Sequence, residues 1–191
     1  MSQDATGKFT LDREKAVLVV IDVQQRLVPS MDPTVYEKVR RSIACAVRGA
    51  ELLGVPVVAT EQYPKGLGPT VPELAAACTG QVIEELSFGC CGEPTFLDYL
   101  KGLGRNQVLV TGMEAHVCVY QTVLGLLEAG YHVHLLRDAI CSRGKTDYVA
   151  ALENAANAGA VVSTTEMAIF QLLRSAAAPE FKAVSALIKQ R

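Results

Sequence analysis

Apolar residues along this chain fall into two alternating rhythms. Short unbroken runs rich in β-branched residues occur at 16–22 (AVLVVID), 55–60 (VPVVAT), 107–111 and 131–135, with a weaker run at 81–86 and a short one at 161–163. Such runs read as strands buried on both faces, as in a parallel sheet. Between them the apolar spacing widens to three and four residues. The stretch 34–53 puts Val35, Val39, Ile43, Val47 and Ala50 on one face and stops at Gly54, the pattern of a helix with a glycine end. Further helices are read at 71–77, at 94–101 behind Pro94, at 119–129 ahead of Gly130, at 147–158, at 167–173 with Thr165 as cap, and at 180–189. Strands alternating with helices at this spacing imply an α/β fold, a three-layer α/β/α sandwich around a parallel sheet. No repeat, low-complexity tract or linker divides the chain, so 1–191 reads as a single domain.

In such a fold ligands bind in the crevice outside the carboxyl ends of the strands, so what each strand runs into matters. The first ends in Asp22, either a solvated turn residue or a carboxylate held in a site. A dinucleotide cofactor would want a glycine-rich loop there, and DVQQRLVPSM has no glycine. No cofactor is expected. The second strand opens onto EQYPKGLGP at 61–69, a Gly- and Pro-dense loop that is a pocket wall or a surface excursion. The third opens onto SFGCCG at 87–92. The fourth breaks at Gly112 and passes into a helix through Glu114, His116 and Cys118. A cysteine in a first helical turn meets free N–H groups and the positive end of the helix dipole, which lower a thiol pKa. Cys118 reads equally as one more small buried hydrophobe. His116, two residues earlier, faces elsewhere by helical spacing, so no Cys–His dyad is expected.

Composition narrows the partners. Half the residues are hydrophobic, and the net charge of −2 leaves no basic footprint for nucleic acid or an anionic membrane. No apolar run nears the roughly 20 residues of a membrane span. The polar, mixed-charge opening MSQDATGKFTLDREK is unlike a signal peptide. The six cysteines have no framework spacing, and Cys90 and Cys91 are adjacent, which suits free thiols in the cytoplasm. His116, His132 and His134 lack a Cys/His zinc spacing, so no metal is expected.

Four segments together carry a resemblance: AVLVVIDVQ at 16–24, VVATEQYPKGLGPTV at 57–71, VTGMEAHVCVYQT at 110–122 and DAICSR at 138–143. They resemble the isochorismatase-like cysteine hydrolase superfamily, most of all its isochorismatase-domain-containing branch, over about residues 15–189. The resemblance implies a Rossmann-like, six-stranded parallel sheet in the order 3-2-1-4-5-6, a homo-oligomer, and hydrolysis of a C–N amide or related bond in a small molecule. By motif position it makes Asp22 the catalytic acid and Cys118 the nucleophile. It implies a cis peptide at Met113–Glu114 and an oxyanion hole from the backbone N–H groups of Glu114 and Cys118. The matching loops place Gln24, Gln62, Tyr63, Phe88 and Cys90 in the substrate pocket.

The resemblance also implies a lysine on the third strand, and here the chain departs from it. VIEELSF at 82–88 contains none, and Ile83 or Glu84 stands in its place. Without that cation, Asp22 beside Cys118 raises the thiol by like-charge repulsion. Lys65 and Arg143 are the nearest cations by topology. Two other readings accompany the hydrolase. One is a catalytically weak member that binds a small molecule or a protein, and the other is a thiol-redox protein pairing Cys118 with Cys90 or Cys91.

Overall fold

The computed structural model describes residues 6–76, 78 and 80–191. Six strands, β1 (Ala16–Ile21), β2 (Val57–Gln62), β3 (Gln81–Glu85), β4 (Gln107–Met113), β5 (His132–Cys141) and β6 (Val161–Ser163), pair in parallel in the order β3-β2-β1-β4-β5-β6. The helices are α1 (Pro33–Leu52), the short α2 (Pro64–Leu67) and α3 (Pro72–Ala75), then α4 (Pro94–Leu103), α5 (Tyr120–Glu128), α6 (Lys145–Ala158), α7 (Thr165–Leu173) and α8 (Phe181–Lys189). The sheet has the order that the resemblance implies.

β1 explains the unbroken apolar runs. Ala16, Leu18 and Val20 enter the core under α1, α7 and α8, which holds Ile43, Val47, Ile169 and Val184. Val17, Val19 and Ile21 enter the opposite core with Phe96 and Leu100 of α4, Val123 and Leu126 of α5, and Ala151 of α6. With both faces covered, no position on the strand has solvent to face.

The element ends differ in places from the sequence reading. β5 runs on to Cys141, so 138–141 belongs to the strand and not to a loop after it. Between Val110 and Gly112 of β4 the register jumps from Leu135 to Ile140, the extra residues lying in β5, and pairing resumes with Met113 opposite Cys141. The cap of α7 is Thr164, whose extended backbone lets its side chain accept from Met167 N–H. Thr165 is the first helical residue, and its N–H and hydroxyl both donate to Asp138 Oδ1. Of the helix read at 71–77, residues 72–75 are helical and residue 77 lies outside the described residues.

Candidate active site

Parallel register brings four strand ends level. Ile21 lies opposite both Thr60 and Gly112, and Gln62 lies opposite Glu85. Asp22, the residue after β1, turns with a φ of 50° and is fully buried. Aspartate is among the few side chains that tolerate this left-handed geometry. Thr60 Oγ1 donates to Asp22 Oδ1 at 2.7 Å, while Asp22 Oδ2 has no hydrogen-bond partner. Burial outweighs the help from Thr60 and Cys118 and pushes the carboxyl up to about 6.

Cys118 sits in a π-helical turn, Ala115–Val119, between β4 and α5, and the Met113–Glu114 peptide just before it is cis. The side chain is 7% exposed and lies against Asp22, with a backbone hydrogen bond from Glu114. The sequence reading sets a helix end that lowers this thiol against an Asp22 that raises it. In the folded chain the raising side wins. Burial raises it first, the charge of Asp22 second, and Glu85 adds to both, so Cys118 rests as a protonated thiol well above its ordinary range.

The third wall is Glu85, and neither Ile83 nor Glu84, the two positions singled out on this strand, reaches the site. Side chains alternate along a strand. Ile83 is buried in the core beneath α4 and α5 and pairs with Thr60 one rung below the strand end. Glu84 points the other way and is exposed. Glu85 shares the face of Ile83 and reaches the level of Asp22 and Cys118, 3% exposed. Burial and then the charge of Asp22 push its carboxyl up to about 8. Its Oε1 accepts from the Cys90 thiol at 3.2 Å, and its Oε2 is unpartnered. Cys90 is itself held by Thr122 of α5, whose hydroxyl donates to the sulfur at 3.1 Å and accepts from Cys90 N–H at 3.0 Å. The period-two step from buried Ile83 could have found Glu85 in the sequence. The motif register hid it.

The remaining candidates divide. Cys90 is a buried strut and not a pocket wall. Gln24 is spent internally: its Nε2 donates to the carbonyls of Gln62 (3.0 Å) and Gly68 (2.6 Å), and its Oε1 accepts from Gln62 N–H (2.9 Å). It braces the 61–69 loop and presents no free group. Gln62 is half-buried, and Tyr63 and Phe88 are 50% and 56% exposed, so these three form the rim. His116 pairs with Ser142 through Nδ1. Lys65 is exposed on α2. Among the described residues no three His, Cys, Asp or Glu side chains are placed to hold a metal ion.

Arg143 is not a stand-in cation, because it is committed to Glu114. Its Nε donates to both carboxylate oxygens (3.1 and 3.0 Å) and its backbone N–H to Oε2 (3.0 Å), with the Glu114 side chain 4% exposed. Burial works against ionised Glu114, but the Arg143 bonds win and its pKa lies below the ordinary value. Stabilisation from this pair is therefore present above the unfolded carboxyl's 4.5 and fades as pH falls below it. Arg143→Ala is expected to cost about 1–3 kcal/mol at pH 7, discounted for the exposed guanidinium. Urea denaturation should find that loss shrinking toward pH 4, and an equal loss at both pH values would contradict the assignment.

Comparison with known proteins shows the family. The isochorismatase domain profile matches residues 16–167. The mouse protein "Isochorismatase domain-containing protein 2A" is 38% identical, over 97% of this chain and 90% of its own length. The Phytophthora sojae "Secreted isochorismatase effector Isc1" is also 38% identical, over 92% of this chain and 85% of its own. A Caenorhabditis elegans structure described as MAR1 ribonuclease superposes with a TM-score of 0.85 at 35% identity, covering 94% of this chain and 92% of that one. On the profile match and these two full-length relatives, the chain belongs to the isochorismatase family.

Proposed function

We propose that this protein hydrolyses a C–N amide or related acyl bond of a small molecule, with Cys118 as nucleophile and Asp22 as proton carrier. The observation that carries the reading is the buried contact of the Asp22 carboxylate with the Cys118 thiol, beside the Glu114 backbone N–H. Asp22 takes the thiol proton as sulfur attacks the carbonyl carbon, and the oxyanion turns to the N–H groups of Glu114 and Cys118. The C–N bond then breaks, and the amine leaves with the proton from Asp22. Water adds to the thioester and gives a proton to Asp22. The C–S bond breaks, and sulfur recovers that proton with release of the acid.

Because Cys118 rests as a thiol, the attack needs Asp22 ionised. Burial shifts that requirement from near 3.8 to about 6. With amine release from a panel of small amides as the assay, kcat/KM is expected to fall about tenfold per pH unit below that value. A rate that does not change from mildly acidic to neutral pH would count against Asp22 as the base.

One feature favours a second reading, a member that binds its small molecule without turning it over: two carboxyls, and no cation, flank a raised thiol. Absence of turnover across the amide panel would select it. A redox role has less support, since sensor cysteines are exposed and acidic, whereas burial and neighbouring acids raise Cys90 and Cys118. We read the substrate as a small molecule and not a nucleic acid, because a net charge of −2 and an electronegative site offer nothing to phosphate. No helix of the described residues is long and apolar enough to cross a membrane. The six free thiols support a cytoplasmic setting, and exposed Leu86 and Phe88 beside the edge strand β3 support a homo-oligomer, which sedimentation would test.

A further inference from the structure

We infer that the substrate itself brings a cation: the unpartnered oxygens of Asp22 and Glu85 together receive a positively charged nitrogen, an alkylammonium or amidinium, carried next to the bond that Cys118 attacks. The position relative to that bond rests on the hydrolase reading. The cation site does not.

Two buried carboxyls meet at this point, and each leaves one oxygen, Asp22 Oδ2 and Glu85 Oε2, without a hydrogen-bond partner. Both side chains are more than nine-tenths buried. A buried oxygen left unpaired is costly, and two of them together cost more. The cost is relieved by a donor that carries charge, because charge-assisted bonds to carboxylates are the strong ones and are less screened away from water. The other charged groups acting on the pair are acids as well, Glu61 on Asp22 and Glu93 on Glu85. The guanidinium of Arg143 is spent on Glu114. No metal-binding trio exists among the described residues, which matches the pair to a hydrogen-bonding nitrogen in preference to a metal ion. Here the chain supplies an anion, and the positive charge has to arrive from outside.

The proton balance gives the inference its own signature. Near neutral pH the pair holds one proton, on Glu85, which faces Asp22 after β1, Cys90 and Glu93 after β3, and Cys118 on the π-helical turn, while Glu61 on β2 acts on Asp22. A cation entering between the two carboxyls displaces that proton. Binding therefore releases protons at pH 7 and tightens as pH rises toward 8.

The test uses Cys118→Ala, which leaves the pair in place and stops turnover, with calorimetry in two buffers of different ionisation enthalpy. The probes are n-butylammonium, its neutral counterpart 1-butanol, and potassium ion. Butylammonium is expected to bind at least about tenfold tighter than butanol, to release protons, and to lose about tenfold or more in Glu85→Gln and more in Glu85→Lys. Equal binding of butylammonium and butanol would overturn the inference, as would full competition by potassium at equal concentration or an unchanged affinity in a folded Glu85→Gln. Wild-type turnover separates this result from the hydrolase reading. β-Alaninamide is expected to exceed butyramide by at least about tenfold in kcat/KM. Equal turnover of the two amides would keep the hydrolase and remove the cation site. Butylammonium binding with no turnover of either amide would keep the cation site and remove the hydrolase.

Discussion

Replacing Cys118 with alanine is expected to reduce turnover by at least about a thousandfold and to leave the fold intact. The size follows from the chemistry. Without sulfur no thioester forms, and Asp22 with the backbone N–H groups can at best assist direct attack by water. The small structural cost follows from packing. Cys118 sits among Ala115 and Val119 in the core under α5, and its loss removes one sulfur atom and no hydrogen bond that holds the sheet. Cys91→Ala is the control, since the hydrogen bond of that half-buried thiol goes to the Thr122 carbonyl. Amine-release rates and thermal denaturation of both variants check the expectation. Residual activity of Cys118→Ala within tenfold of wild type would exclude covalent catalysis by this residue.

The largest loss of stability is expected from Gly112→Ala. Gly112 lies where β4 passes β1, with a φ of 117°, a conformation that side-chain-bearing residues rarely adopt. A β-carbon there would stand 2.0 Å from the Ile21 carbonyl oxygen and 2.6 Å from its nitrogen. These are backbone atoms of the central strand, which cannot rotate aside. Conformational strain alone costs about 1–3 kcal/mol, and the collision adds displacement of β1, so a total of about 4 kcal/mol or more is expected. Ile21 precedes Asp22, so the same displacement moves the proposed proton carrier, and activity should fall even in whatever fraction folds. Urea denaturation checks the first part, and a loss below about 1 kcal/mol would mean that β1 and β4 yield more easily than their register suggests.

Much of the scaffold was legible along the chain. Two-faced burial forces apolar runs such as 16–21, and helix ends carry local signals such as Gly54, Gly130 and Pro94. Cys118 and Asp22 stood out as candidates because each follows a strand inside a specific motif. Legibility failed where a residue's part depended on its neighbours in space. Gln24 sits in the motif, but only the fold shows its amide consumed by the Gln62 and Gly68 carbonyls. Thr164 and Thr165 are equivalent as letters, and only backbone conformation decides which one caps α7.

What the sequence determined by itself is the alternation of strands and helices, the membership of the family, and the absence of a lysine from 81–86. Tertiary structure decided which side chain of β3 reaches the site. Strand pairing sets the register of β3 against β2, and the alternation of side chains then turns Glu85 inward and Glu84 out to solvent. Tertiary structure also decided the state of the thiol. A helix start favours a thiolate, but removal from water beside two carboxyls opposes it, and both effects depend on groups from β1, β3 and the turn after β4 meeting in one buried place.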